Sequence, residues 1–228
     1  MHVGVIGGTG AEGFGLSLRL ASAGHDVTIG SRDATRGSQA ADRARIELGD
    51  GARIEGGSNQ ETAGIADVVL VTVPFAGQVE IYRSIADSVR PGTVVVDATS
   101  PLATAVGGPP WQVLQPWHGS AAEQAAALLD EDVRLVAAFH TTSAHALADL
   151  AHPLESDVLV CGNDAEAKAI VGGLIEQIPD LRWVDCGVLS MARITEALTA
   201  LLINVNRRYK TRDAGFRIVG RDGWGSPP

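Results

Sequence analysis

Short apolar runs punctuate the chain at nearly regular intervals, and stretches with helical spacing separate them. The runs at residues 3–6, 25–30, 52–55, 66–74, 93–98, 133–139, 158–161 and 182–186 are rich in valine and show little polar alternation. That texture suits parallel strands covered by helices on both faces. Helical stretches follow from Phe14 onward and over 34–48, 77–89, 121–129, 165–178 and 191–207. With right-handed crossovers, this alternation predicts an α/β fold. Its form is a doubly wound Rossmann-type parallel sheet with helices on both faces and a C-terminal α/β extension packed on it.

Regularity lapses between residues 100 and 120, where Gly107-Gly-Pro-Pro110 and Pro116 surround Trp111 and Trp117. Irregular stretches of this length usually cover a site, so a lid is expected here. No linker or internal repeat divides the chain. The expectation is one compact domain over 1–228: a nucleotide-binding core at 1–100, the irregular loop at 101–120, and a part at 121–228 that completes the sheet and a second pocket.

A chain of 228 residues can bury a substantial core. Its formal charge of −9 argues against nucleic acid or an anionic membrane as partner. The C-terminal stretch is locally basic, with Arg193, Arg207, Arg208, Lys210, Arg212, Arg217 and Arg221 against Glu196, Asp213 and Asp222. It reads as an exposed tail or as a receiver of an anionic ligand. Cys161 and Cys186 are the only cysteines, too few for a disulfide framework or a thiolate metal cluster. With no secretory leader and no apolar run of bilayer length, a soluble cytoplasmic protein is expected.

The most informative segment is VGVIGGTGAEG, in which Gly8, Gly10 and Gly13 stand between a strand and a helix. Glycines in this spacing permit a tight turn and let the backbone approach a pyrophosphate, whose charge rests on the N–H groups opening the helix. The end of the second strand then distinguishes the two common dinucleotides. A carboxylate there would accept from a ribose 2′-OH, whereas this chain places Ser31 and Arg32, with Arg36 one turn later. Guanidinium groups and hydroxyls grip a 2′-phosphate, and Thr9 can add another hydroxyl bond, so NADP is preferred to NAD.

Acid–base groups are scarce. Neither Tyr82 nor Tyr209 is followed four residues later by lysine, and Lys168 and Lys210 are the only lysines. His140 and His145 follow a strand, but their spacing is not that of paired helical metal ligands and no carboxylate completes a set nearby, so no metal is expected. His140 either lines a ligand or is a satisfied histidine at a strand end. Chemistry that scarcely needs proton transfer, such as hydride exchange between two bound cofactors, fits this inventory.

The segments GGTGAEGFGLSLRLASAGHDVTIGSR, ADVVLVTVPF, Ser120-Ala-Ala-Glu123, AFHTTSA, DVLVCGNDAEAK and Asp185-Cys-Gly-Val-Leu-Ser190 together resemble the NADPH-dependent reductases of coenzyme F420, over about residues 1–206. The resemblance implies reversible hydride transfer between NADP(H) and the deazaflavin F420 by positioning alone, with no catalytic side chain. It also implies that Val73, Pro74 and Phe75 lie beside the nicotinamide, that His140, Thr141 and Thr142 lie near the deazaflavin, and that the protein is a homodimer. Two alternatives stay open from the residues: an NADPH-dependent reductase of a small imine or carbonyl compound, and a non-catalytic NADP-binding redox sensor. The loop at 100–120 and the tail after Arg207 depart from the family pattern.

Overall fold

The computed structural model describes residues 1–49, 51–221 and 224, so Asp222 of the C-terminal charge pattern lies outside the described residues. Eight strands form one sheet in the order β3-β2-β1-β4-β5-β6-β7-β8. They are β1 (His2–Ile6), β2 (Asp26–Ser31), β3 (Ile54–Ser58), β4 (Val68–Val71), β5 (Val94–Asp97), β6 (Arg134–Ala137), β7 (Ser156–Gly162) and β8 (Leu181–Asp185). The helices are α1 (Ala11–Ser22), α2 (Ala34–Leu48), α3 (Asn59–Ile65), α4 (Phe75–Ile85), α5 (Ala121–Ala126), α6 (Ala144–Ala148), α7 (Ala165–Ile175), α8 (Ala192–Thr195) and α9 (Leu198–Tyr209).

Period-two geometry explains the valine-rich strands. Val68 and Leu70 of β4, with Val94 and Val96 of β5, face a layer closed by Leu16, Leu18 and Leu20 of α1 and by Val171 and Leu174 of α7. Val69, Val71 and Val95 face the opposite layer, with Ile81, Tyr82 and Ile85 of α4 and Ala122 of α5. Both faces are dry, so alternation disappears from the sequence.

The sheet departs from the expected all-parallel arrangement at one point. β6 and β7 pair antiparallel, and β7 and β8 then run parallel to each other. A fully buried apolar run reads alike in either direction, which is why the reversal was not legible. α3 and α6 were also unforeseen, and the expected helix over 191–207 is divided into α8 and α9.

Candidate functional site

Strand order reverses between β1 and β4, so the connections leave the carboxyl ends of these strands in opposite directions and open a crevice there. A cavity of about 530 Å³ occupies it, within the size range of small-molecule sites. Its floor is the glycine turn. Gly7 sits at φ +75°, a left-handed conformation natural to glycine, and the Gly10 N–H donates to the Gly7 carbonyl at 2.9 Å. Gly10 is the N-cap of α1 and supplies no side-chain cap, which leaves first-turn N–H groups for an anion.

The three motif glycines do different work. Gly8 and Gly13 do not line the cavity. A Cβ on Gly8 would lie 2.8 Å from the Val5 carbonyl, and one on Gly13 would lie 2.8 Å from the Gly8 Cα and against the Thr72 side chain. These two allow close packing of α1 on the strand ends. A Cβ on Gly10 would meet only the Gly7 carbonyl, at 3.3 Å, so its missing side chain leaves open room above the turn.

At one end of the cavity stand Thr9, Ser31, Arg32 and Arg36. Among the described residues, neither Arg32 nor Arg36 makes an ion pair. Asp33, beside them, caps α2 by accepting from the Thr35 N–H at 2.9 Å, so its charge is turned toward the helix. The corner therefore keeps two uncommitted positive charges and two hydroxyls, a fitting receptor for a phosphate monoester. At the other end are Thr72, Val73 and Pro74. Phe75 opens α4 next to this wall but is not one of the lining residues.

His140, Thr141 and Thr142 are buried and lie apart from this cavity, beyond β5. Phe139, at φ +70°, turns the chain out of β6, and the Thr199 hydroxyl fixes it by donating to the His140 carbonyl at 2.8 Å. The turn brings His140 to two acids that sequence reading did not single out. One nitrogen or oxygen from each of Asp97, His140 and Glu196 lies within 4.8 Å of the others. Asp97 ends β5 and accepts from the Gln78 amide at 2.9 Å, the Tyr82 hydroxyl at 2.7 Å and the Thr99 N–H at 2.9 Å. Glu196 accepts from the N–H groups of Ala121 and Ala122, at 2.8 and 2.9 Å.

Burial dominates the electrostatics of this group. It pushes Asp97 up to about 6 despite its donors, and it pushes Glu196 up to about 8 against the Ala122 and Ala121 N–H groups, with Asp97 and Glu123 adding repulsion. Glu12, in the first turn of α1, is raised to about 8 by burial and then by Asp97. Burial lowers His140 to about 3, so its ring is neutral, and its Nε2 is enclosed without a protein partner. The one sequence signal was a lone acid closing the valine run of β5.

The loop at 100–120 leaves Trp117 almost wholly exposed, while Trp111 lies under the Arg207 guanidinium of α9 at 4.3 Å. No helix is long and apolar enough to cross a membrane among the described residues.

A glycine turn at a switch point, opening onto uncommitted guanidinium groups, places the protein among the Rossmann-type dinucleotide-binding proteins. Comparison with known proteins narrows that class. The sequence model of the family "NADP oxidoreductase coenzyme F420-dependent" matches residues 2–101. The F420-dependent NADP reductase of Methanothermobacter thermautotrophicus is 44% identical over 96% of this chain and 95% of its own length. That of Methanothermobacter marburgensis is 41% identical over 96% of this chain and 98% of its own. A crystal structure from Arthrobacter sp. FB24, provisionally described as an F420-dependent NADP-reductase, superposes with a TM-score of 0.80 at 25% identity, covering 95% of this chain and 98% of that one. The chain belongs to the F420-dependent NADP reductase family.

Proposed function

We propose that the protein catalyses reversible, direct hydride transfer between NADP(H) and coenzyme F420. The observation that carries this reading is the two-ended cavity, with a phosphate corner at Ser31, Arg32 and Arg36 and an apolar wall at Val73 and Pro74, in a chain 44% identical to a reductase of that name. The open room above Gly10 and the first-turn N–H groups of α1 suit a pyrophosphate.

The nicotinamide and deazaflavin rings themselves supply the carbon atoms that give and take the hydride. The chain contributes position and dryness. Gly7, Gly10 and the α1 N-terminus hold the pyrophosphate; Ser31, Arg32, Arg36 and Thr9 hold the 2′-phosphate; Val73, Pro74 and Phe75 back the nicotinamide. His140, Thr141 and Thr142 flank the second ring, and the 101–120 loop serves as its lid. No side chain needs to act as a catalytic acid or base.

Ile194 of α8 and Leu201 of α9, with Met191 just before α8, are exposed apolar side chains at helical spacing, which suits a homodimer. Sedimentation at micromolar concentration tests that assembly. Two free cysteines suit a reducing, cytoplasmic setting.

The decisive experiment mixes purified protein, NADPH and F420 and follows deazaflavin absorbance, with flavins and small carbonyl compounds as controls. Loss of the F420 absorbance in step with NADPH oxidation is expected. Oxidation of NADPH by a carbonyl control with F420 untouched would overturn the reading.

A further inference from the structure

Behind the apolar wall of the cavity, the two acids Asp97 and Glu196 and the neutral His140 are enclosed with no lysine or arginine bonded to either carboxyl group among the described residues. The hydride-transfer scheme gives the two acids no role, and it uses His140 only as a neighbour of the second ring. Their connection to the cavity is short. Asp97 pairs across the sheet with Val71, two residues before Val73 of the wall, and the Thr99 hydroxyl lies 3.3 Å from Asp97 Oδ2 and 3.4 Å from the Val73 carbonyl. On the other side, Gln78 and Tyr82 of α4 donate to Asp97, while Gly77 and Ile81 of the same helix line the cavity.

We propose that this enclosed group binds one proton whose occupancy is linked to the charge of the nicotinamide ring: retained beside neutral NADPH, and released beside cationic NADP+. The proposal rests on the NADP reading above and is independent of the identity of the second substrate. In the released state the O–H bond of the Glu196 carboxyl group breaks, a carboxylate remains, and the proton passes to solvent. No electron moves in this step.

The surroundings favour a labile proton at Glu196. Its oxygens face the N–H groups of Ala121 and Ala122, which stabilise the anion, while enclosure and the neighbouring acids favour the neutral form, and the balance falls at about 8. The ionisable groups around it come from several elements: Asp97 of β5, Glu123 of α5 with its partner Arg193, Tyr82 of α4, and His140 after β6. Glu12 of α1 adjoins through Asp97, and the Cys161 thiol of β7 lies 3.7 Å from the hydroxyl of Thr195, next in sequence to Glu196. A cationic ring across the Val73 wall adds the missing positive charge and tips Glu196 to carboxylate. By linkage, the same proton then sets which redox form of the nucleotide binds more tightly.

The test measures dissociation constants for NADP+ and for NADPH between about pH 6.5 and 9, a span that brackets this titration. The 2′-phosphate is common to both forms, so its own titration cancels in their ratio. The ratio of the NADP+ to the NADPH constant is expected to fall by about tenfold across that span. Titration calorimetry near pH 8 in two buffers of different ionisation enthalpy should show proton release on binding NADP+ and little on binding NADPH. Glu196→Gln should flatten the ratio; should that variant fold poorly, Asp97→Asn, which removes the neighbouring negative charge, should move the fall in the ratio to lower pH. A wild-type ratio independent of pH, or equal proton counts for the two nucleotides, would overturn the proposal. So would an unaltered slope in a folded Glu196→Gln protein. If neither nucleotide binds, the NADP reading itself fails and this proposal falls with it.

Discussion

The guanidinium of Arg19, near the end of α1, donates to the backbone carbonyl of Leu147 at 3.0 Å. The same buried side chain also donates to the carbonyls of Ala146, Asp149 and His152, so one cation closes the C-terminal turn of α6. Burial lowers its affinity for the proton, while Asp149 opposes that shift. Because α6 directly follows His140, Thr141 and Thr142, Arg19 joins the nucleotide half to the segment assigned to the second ring. Arg19→Met should cost roughly 3 kcal/mol, the scale for losing a charged donor to several enclosed carbonyls. Chemical denaturation should show that loss, and hydrogen exchange should quicken at 144–148 more than in α4.

Uncommitted charge at the end of β2 sets the expected nucleotide preference. Arg32→Ala and Arg36→Ala should each weaken NADPH binding by roughly tenfold to a hundredfold, as expected for one charge-assisted phosphate contact. NADH binding should hardly change, because it lacks the 2′-phosphate. Fluorescence titration with both nucleotides is the measurement, and equal losses for the two would contradict the phosphate corner.

Two glycines of one motif should separate under substitution. Gly13→Ala forces a methyl group against Thr72 and Gly8, an overpacking that costs about 1–3 kcal/mol and lowers Tm. Gly10→Ala meets a single backbone oxygen, at a φ of −77° that alanine readily adopts. Its Tm should stay close to wild type while NADPH affinity falls by about tenfold or more, the methyl occupying cavity space. Thermal melts paired with binding titrations distinguish the two effects.

The glycine turn, the cation pair at the end of β2 and the β-branched strands were legible because each rests on neighbours in sequence. α3 was missed although it carried a local signal, the reciprocal hydrogen bonds of Ser58 and Glu61 at its start. Its Asn-Gln-Glu-Thr sequence lacks the apolar stripe that marks a packed helix. The reversal at β7 had no local signal at all. Asp97, His140 and Glu196 are separated by dozens of positions, and only the sheet order and the turn at Phe139 bring them together. Of the three, His140 alone was visible as a candidate, and its enclosed Nε2 answers to neither side chain by sequence spacing.

The tryptophan loop offers a separate test of the second pocket. Trp117 contributes almost no buried area to the isolated chain, and Trp111 is held by Arg207. Joint replacement Trp111→Ala and Trp117→Ala should therefore lower Tm modestly, through the Trp111 contact with Arg207 alone. As a lid over the second ring, the loop should lose F420 affinity by about tenfold in that variant, with NADPH affinity retained. Unchanged F420 affinity and turnover would remove the lid from the scheme.

The Asp157 carboxylate should hold the C-terminal segment against the sheet. Asp157 of β7 is fully enclosed and receives Arg182 of β8 at 2.7 and 2.9 Å, while the Ile218 N–H donates to it at 2.6 Å. Burial pushes this carboxyl up, but Arg182 and Ile218 outweigh burial and hold it below its ordinary value of 3.8. A depressed carboxylate contributes stability that is fully present above its unfolded value and is lost as pH falls through the folded one. Asp157→Asn should thus cost about 3 kcal/mol at pH 7, where it leaves Arg182 without its enclosed counter-charge. The difference from wild type should begin to shrink as pH falls below about 4, where the unfolded wild-type chain takes up a proton that the folded one still refuses, and should vanish only below the depressed folded value. The backbone N–H of Asp157 also donates to the Phe216 carbonyl at 2.7 Å, so main chain and carboxylate together anchor Phe216 and Ile218 to the sheet. Trypsin should accordingly cleave after Arg217 sooner in Asp157→Asn than in wild type at neutral pH. Equal cleavage rates together with parallel pH–stability curves would show that the Arg182 pair is not what holds this segment.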